Sequence, residues 1–308
     1  MIRRPVPWPN GAKVAVAITF DMDADSSLHL FYPKDAINRV STISMLKYGP
    51  DVSIPRILET YRRFGLKQTF CVPAWCIENY PKAIEEIVKD GHEVAFHGYI
   101  HEGPNLVTRD EEHYWLQRSI EVIEKFTGKR PRGSRSPGHG ISIHTPDLLV
   151  EEGFIYDSTL QGDDVPYIIE TKKGSLVELP SHMGLDDWPP YVYSGDLNHF
   201  MQIMSPDRAM EIFMSEFAAL RHYGGGVWVT LWHPFISGRI ARWLRVERMI
   251  EEMMATGEVW FATMEEIANH VIACRKDGSY KPRVDKLPFY DKPVNVGGPS
   301  WSGPPPVK

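Results

Sequence analysis

The 308-residue sequence has little cysteine and no long apolar run. Its three cysteines, Cys71, Cys76 and Cys274, are odd in number and form no CxxC pair, which excludes a disulfide scaffold and predicts buried thiols. A cysteine nucleophile is the weaker alternative, because no local signature surrounds Cys71 or Cys76. No stretch is long enough to span a bilayer, and the basic N-terminus lacks the apolar segment of a signal peptide. We therefore expect a cytoplasmic protein that does not bind membranes.

The sequence also has no excess of positive charge. Its 34 Lys and Arg residues against 40 Asp and Glu give a net charge of −6, and no basic stripe stands out, so nucleic-acid binding is disfavoured. No GxGxxG motif follows the first predicted strand, which counts against a dinucleotide-binding fold. Hydrophobic residues at 43% and charged residues at 24% are typical of a globular protein.

Strand and helix patterns alternate along most of the chain. The predicted strands include 14–19, 68–72, 93–96, 154–156, 175–179, 226–231 and 259–261. This alternation, with no Pro/Gly-rich break before about residue 275, predicts a single parallel α/β domain over residues 1–275. Because chemically reactive residues follow several separate strands, a (β/α) barrel fits better than an open sheet.

Two segments do not fit this alternation. Residues 24–50 show no clean period, and a loop of this length is typical of a lid or a partner-binding arm. Residues 276–308 are rich in Pro and Gly and form a predicted C-terminal tail without a core of its own. We expect this tail either to hang free or to wrap a neighbouring subunit, which favours a homo-oligomer.

Two carboxylates, Asp21 and Asp23, end the first apolar strand. Carboxylates this close repel each other unless a cation or an arginine neutralises them. Taken alone, they are equally well explained as residues that turn the chain after a strand.

Two histidines, His97 and His101, follow another predicted strand at i, i+4 spacing. On one helical turn this spacing places both side chains on the same face. Joined to Asp23, they make a set of two histidines and one carboxylate that leaves coordination positions open, as hydrolytic metal sites require. Zinc is the leading candidate, although such a site accepts other divalent first-row ions.

With these motifs the sequence resembles the polysaccharide deacetylase superfamily. The motifs occur in family order and span roughly residues 13 to 265. They are Phe20-Asp21-Met22-Asp23, His97-Gly98-Tyr99-Ile100-His101, Arg135-Ser136-Pro137, Leu185-Asp186-Asp187-Trp188 and Leu231-Trp232-His233-Pro234. The resemblance implies a distorted (β/α) barrel of seven or eight strands and metal-assisted hydrolysis of an amide or ester.

The resemblance also implies roles for single residues. Asp23, His97 and His101 would hold the metal, and Asp21 would be the general base. Arg135 would keep Asp21 ionised, because a guanidinium favours the charged carboxylate.

On the other side of the site, His233 would protonate the leaving nitrogen. Asp187 is the first choice for the carboxylate that holds His233 as imidazolium, with Asp186 close behind. His139 is the candidate for a further residue of the pocket lining.

One departure from the usual motifs bears on the substrate. Gly98-Tyr99 follows the first histidine where a small hydroxyl residue is common, which is more similar to the intracellular peptidoglycan-deacetylase-like, cyclic imidase and allantoinase-like branch, where some members work without a metal. We therefore expect hydrolysis of a small amide or cyclic imide. The alternatives are an N-deacetylase of acetylated amino sugars and a catalytically silent binding barrel, whose sign would be a missing ligand or base.

Overall fold

The computed structural model describes residues 1–290 and 292. The strands in this part of the chain are β1 (Val14–Ala17), β2 (Phe20–Asp21), β3 (Thr69–Val72), β4 (Glu93–Phe96), β5 (Gly133–Ser134), β6 (Tyr156–Asp157), β7 (Tyr167–Glu170), β8 (Ser175–Glu178), β9 (Tyr193–Ser194), β10 (His199–Phe200), β11 (Gly226–Val229), β12 (Val259–Phe261) and β13 (Val284–Lys286). The α-helices are α1 (Ser26–Phe31), α2 (Val40–Tyr48), α3 (Ile54–Phe64), α4 (Ala74–Asn79), α5 (Pro81–Lys89), α6 (Arg109–Thr127), α7 (Thr145–Glu151), α8 (Trp188–Tyr191), α9 (Pro206–Tyr223), α10 (Pro234–Ser237), α11 (Ile240–Ala255) and α12 (Met264–Asp277).

The strands form a distorted (β/α) barrel in a single domain, as predicted. One run of hydrogen-bonded strands has the order β13-β7-β8-β6-β5-β4-β3-β2, and β1 lies between β11 and β12. Parallel bridges join Phe20 to Trp232 and Asp186 to Leu231, so that the segments after β8 and β11 close the ring. Because the parallel strands end at one face, the residues that follow them meet there.

The first barrel strand is interrupted at Ile18 and Thr19, between β1 and β2. There the backbone N–H of Thr19 donates to the hydroxyl of Thr230 at 2.7 Å, in place of a ladder bond. The N–H of Ile18 donates to the side chain of Gln68. These side-chain bonds satisfy the backbone across the break and allow β1 and β2 to pair with different neighbours.

Several helix boundaries follow sequence signals. Thr108 and Thr263 begin α6 and α12 with complete capping boxes, and the Ser205 hydroxyl caps α9. The predicted helix after Asp51 is α3, which ends at Gly65 in the left-handed conformation. The three cysteines are free and buried, as expected. Among the described residues, no helix has the length and apolar character needed to cross a membrane.

The two segments without a clear period differ from expectation. Residues 24–50 are largely helical, containing α1 and α2, rather than an extended loop. Residues 284–286 of the predicted tail form β13, which pairs in parallel with β7, and the buried Tyr280 donates its hydroxyl to the carbonyl of Pro166 at 2.6 Å. This part therefore packs on its own barrel instead of hanging free or wrapping a neighbour, because it supplies a strand to an open edge. Residue 291 and residues 293–308 lie outside the described residues.

Candidate active site

Six of the seven residues predicted to be catalytic or metal-binding line one cavity of about 470 Å³ at the C-terminal face of the barrel, and the seventh, Asp187, is buried outside the lining. Asp21 ends β2, His97 follows β4, and Arg135 follows β5. His233 comes shortly after β11. All four line the cavity together with Asp23 and His101.

Asp23, His97 and His101 form a compact cluster. Nε2 of His97 lies 3.3 Å from Oδ1 of Asp23, and Nε2 of His101 lies 3.3 Å from Oδ2. The two histidines are not on a helical turn, contrary to expectation. Instead, Gly98 and His101 have φ angles of +73° and +70°, so a tight left-handed turn brings the rings together. A non-glycine residue in this region is costly and is typically found at functional sites.

This cluster fits a divalent metal. Oδ1 of Asp23 is buried and has no hydrogen-bond partner among the described residues, which is costly for an uncompensated carboxylate. Nδ1 of His97 bonds the carbonyl of Arg135 at 2.7 Å, which leaves Nε2 as a free ligand atom. One ligand atom from each of the three residues lies within 4.8 Å of the others. Two imidazoles and one carboxylate are a donor set of catalytic zinc sites.

Asp21 is paired with Arg135. The buried guanidinium donates from one nitrogen to Oδ1 of Asp21 at 2.8 Å and to the Thr19 hydroxyl at 2.9 Å. Its remaining nitrogens reach the carbonyl and hydroxyl of Ser158, both at 3.2 Å. Burial acts to raise the pKa of Asp21, but Arg135 and the neighbouring histidines outweigh it and hold the pKa below its usual value. Asp21 is therefore an ionised carboxylate.

His233 is held by Asp187 on the opposite side of the cavity. Oδ1 of Asp187 lies 2.7 Å from Nδ1 of His233, and Oδ2 accepts the backbone N–H of His233 at 2.9 Å. The hydroxyl and N–H of Ser237 also donate to Oδ2, at 2.6 and 3.1 Å. Burial acts to lower the pKa of His233, but Asp187, followed by Asp23, raises it well above its ordinary value. These surroundings favour the imidazolium form of His233.

Asp186 occupies a different position from Asp187. It lines the cavity and accepts the N–H of Trp188 at 2.6 Å, and burial raises its pKa to about 7. The sequence left Asp186 and Asp187 as alternatives for the partner of His233. The structure shows that the two side chains point in different directions.

Comparisons with known proteins identify the family of this chain. The polysaccharide deacetylase family model matches residues 39–154. A peptidoglycan deacetylase from Helicobacter pylori is 30% identical over 252 residues, covering 74% of this chain and 86% of the relative. The chain belongs to the polysaccharide deacetylase family. It is thus a hydrolase of a family that acts on carbon–nitrogen bonds.

Solved structures share the fold of this deacetylase family member. A Mycobacterium smegmatis protein assigned as a polysaccharide deacetylase is 41% identical, with a TM-score of 0.86 over 92% of this chain and 97% of that one. An allantoinase is 22% identical, with a TM-score of 0.76 over 87% of this chain and 93% of that one, and shows the fold alone.

The outer cavity wall of this family member is apolar and built from three separate segments. Phe31 ends α1, Trp188 begins α8, and Leu197 lies in the β9–β10 hairpin. Asp196 of the hairpin accepts from the side chains of Arg39 and Thr42, which ties the hairpin to residues 24–50. The segment predicted to cover the site therefore flanks the cavity. Of residues 188–191, Trp188 alone lines the cavity.

Sequence reasoning missed a second buried layer beneath the cavity. Asp157 and Glu178 are fully buried at paired positions of β6 and β8, and three of their four carboxylate oxygens have no partner among the described residues. The remaining oxygen, Oε1 of Glu178, accepts the N–H groups of Thr159 and Leu160 at 3.0 and 2.8 Å. Acidic residues that end two otherwise apolar strands were the available signal.

Proposed function

We propose that this chain hydrolyses the carbon–nitrogen bond of a small amide or cyclic imide. The observation that carries this proposal is the placement of an ionised carboxylate and a charged imidazolium around one buried metal-ligand cluster. His233 Nε2 lies only 3.5 Å from Oδ2 of Asp23, so the acid faces the cluster directly. None of the expected ligand, base or acid positions is missing, which disfavours a silent binding barrel.

Asp23, His97 and His101 are the proposed metal ligands. A divalent transition metal held there, with zinc the leading candidate, would polarise the substrate carbonyl and lower the pKa of the attacking water.

Asp21 and His233 divide the proton transfers. Asp21, kept ionised by Arg135, takes a proton as the oxygen of water bonds to the carbonyl carbon. His233 then gives its proton to the nitrogen as the carbon–nitrogen bond breaks, leaving a carboxylic acid and an amine, or a ring-opened amide in the case of an imide. Asp187 keeps His233 charged and fixes the direction of its ring, so that Nε2 faces the site.

Cavity shape supports a small substrate. A volume of about 470 Å³ suits one compact molecule, and the lining joins polar groups at the base to apolar side chains at the rim. The hydrogen bonds between residues 24–50 and the β9–β10 hairpin hold this rim together, which would obstruct a polymer. Cytoplasmic location and homo-oligomer formation remain predictions from the sequence.

The alternative substrate is an acetylated amino sugar. It is favoured by the name of the H. pylori relative, a peptidoglycan deacetylase.

Turnover of matched panels tests the proposal. Glutarimide-like and hydantoin-like rings are compared with N-acetylglucosamine oligomers, with Asp21→Asn as the control for adventitious hydrolysis. We expect ring opening by the wild type and not by the variant. Efficient acetate release from the oligomers, with no ring opening, would refute the choice of substrate.

A further inference from the structure

Part of the cavity wall carries polar groups that the proposed reaction does not use. The ligands and the base follow β2 and β4, and the acid follows β11. The arc between them is formed by the segments after β5, β6 and β8. His139 and Gln161 lie on this arc and line the cavity.

His139 is held in one orientation by a defined contact. Nδ1 of its ring lies 2.9 Å from the carbonyl oxygen of Thr159. A carbonyl only accepts, so Nδ1 carries the hydrogen and Nε2 has a free lone pair. Burial, followed by the nearby Arg135, lowers the pKa of His139 and favours this neutral ring. Among the described residues, no group bonds Nε2, which belongs to a side chain that lines the cavity.

The backbone around His139 is built to keep this orientation. Gly138 and His139 have φ angles of +56° and +57°, a conformation that costs free energy at a non-glycine residue. Thr159 fixes the turn a second time, because its hydroxyl accepts the N–H of Ser136 at 2.9 Å. The backbone N–H of Thr159 in turn donates a hydrogen bond to Oε1 of the buried Glu178. A strained turn with this support presents the ring in a set direction.

We propose that His139 is a specificity-determining residue whose Nε2 accepts a hydrogen bond from an N–H or O–H group of the substrate. This inference rests on the proposed function and deepens it. An acceptor at Nε2 of His139 selects amides and imides that carry a hydrogen-bond donor near the reacting carbonyl. The test ring is hydantoin-like, because its N1–H lies outside the imide bond that breaks. Methylation of N1 removes the hydrogen bond while leaving the reacting group in place.

Two variants separate the acceptor from other effects of the ring. His139→Asn keeps a short amide donor for the Thr159 carbonyl, and asparagine tolerates the left-handed backbone, but the acceptor at Nε2 is lost. His139→Phe keeps the volume of the ring but loses both the acceptor and the tie to Thr159. Loss of selectivity in both variants thus identifies the acceptor rather than ring volume or loop position.

The experiment measures kcat/KM of wild type and both variants on a ring with a free N–H and on its N-methyl counterpart. We expect the wild type to prefer the N–H ring by about tenfold and both variants to lose that preference. If the wild type acts only on N-acetylglucosamine oligomers, the proposed substrate fails, and the comparison uses the oligomer and its 3-deoxy counterpart. Preference retained by either variant overturns the role of His139.

A second readout does not depend on turnover. The ¹⁵N NMR shifts of His139 in the metal-loaded wild type report which ring nitrogen carries the hydrogen. We expect a protonated Nδ1 and an unprotonated Nε2 at neutral pH. A protonated Nε2 would overturn the proposal whatever substrate the enzyme uses.

Discussion

Replacing Asp187 by asparagine tests how the structure supplies the acid. Asp187 is fully buried and accepts four hydrogen bonds, two from His233 and two from Ser237. Asparagine removes the negative charge that holds His233 protonated and turns one acceptor oxygen into a donor. The pKa of His233 therefore falls in the variant.

The size of the loss follows from the role of the acid. General acid catalysis contributes about 10²–10⁴ in rate, which corresponds to about 2.7–5.5 kcal/mol. We expect kcat/KM of Asp187→Asn to be lower than that of the wild type by a factor within this range near neutral pH. Because His233 must be protonated to act, a lower pKa moves the alkaline limb of the kcat/KM profile to lower pH.

Asp186→Asn is the matched control, since it makes the same change of charge one residue away. Asp186 makes no hydrogen bond to His233 among the described residues, although an oxygen of Asp186 lies within 4.8 Å of a ring nitrogen of His233. The alkaline limb of Asp186→Asn should therefore move less than that of Asp187→Asn. The assay is a pH profile of kcat/KM for the three proteins, with thermal melting to confirm that each is folded. An unchanged alkaline limb in Asp187→Asn, or an equal shift in Asp186→Asn, would refute the assignment.

Five other substitutions test the remaining residues. His97→Ala and His101→Ala should each lose bound metal by elemental analysis, and full occupancy in both would show that the ligands are wrong. Asp21→Asn should keep the metal but lose a factor of about 10²–10⁴ in turnover. Arg135→Ala should raise the pKa of Asp21 and move the acidic limb of the kcat/KM profile to higher pH. An unmoved acidic limb would show that Arg135 does not control the ionisation of Asp21. Burial, followed by a neighbouring carboxylate, raises the pKa of Glu178 well above its usual value. The unfolded chain therefore releases the Glu178 proton at lower pH than the folded protein does, and the free energy of unfolding falls as pH rises. Glu178→Gln should therefore gain in melting temperature relative to the wild type as pH rises above about 4.3, the ordinary pKa of glutamate, and a constant difference would contradict this.

The barrel and the meeting of the site residues could be predicted because both follow from strand ends. Asp21 and His97 come directly after apolar runs, and parallel strands end at the same face. Arg135 instead follows a polar, Pro- and Gly-containing segment, so its place in the site was implied by the family resemblance rather than by a strand pattern.

Other features depend on contacts that a local pattern does not contain. α2 buries Thr42 and Leu46 but also faces the β9–β10 hairpin, so its residues show no single apolar stripe. β13 forms because β7 offers an open edge, and that edge is known only once the sheet exists. The directions of Asp186 and Asp187 are set by partners at Trp188 and His233, which adjacency in sequence does not distinguish.

Asp21 and Asp23 show how one strand end supports two proposed roles. Both are buried carboxylates two residues apart, so residue type and burial alone would give them the same chemistry. Their neighbours differ: Asp21 faces the fully engaged guanidinium of Arg135, whereas Asp23 faces imidazole nitrogens and, within the described part of the chain, keeps an oxygen without a hydrogen-bond partner. An arginine satisfies the carboxylate it pairs with and leaves its second oxygen to accept a proton, while imidazoles around a bare oxygen create a set of ligands. The proposed division between base and ligand therefore follows from Arg135, just after β5, and His97, just after β4, which place a cation beside one aspartate and metal donors beside the other.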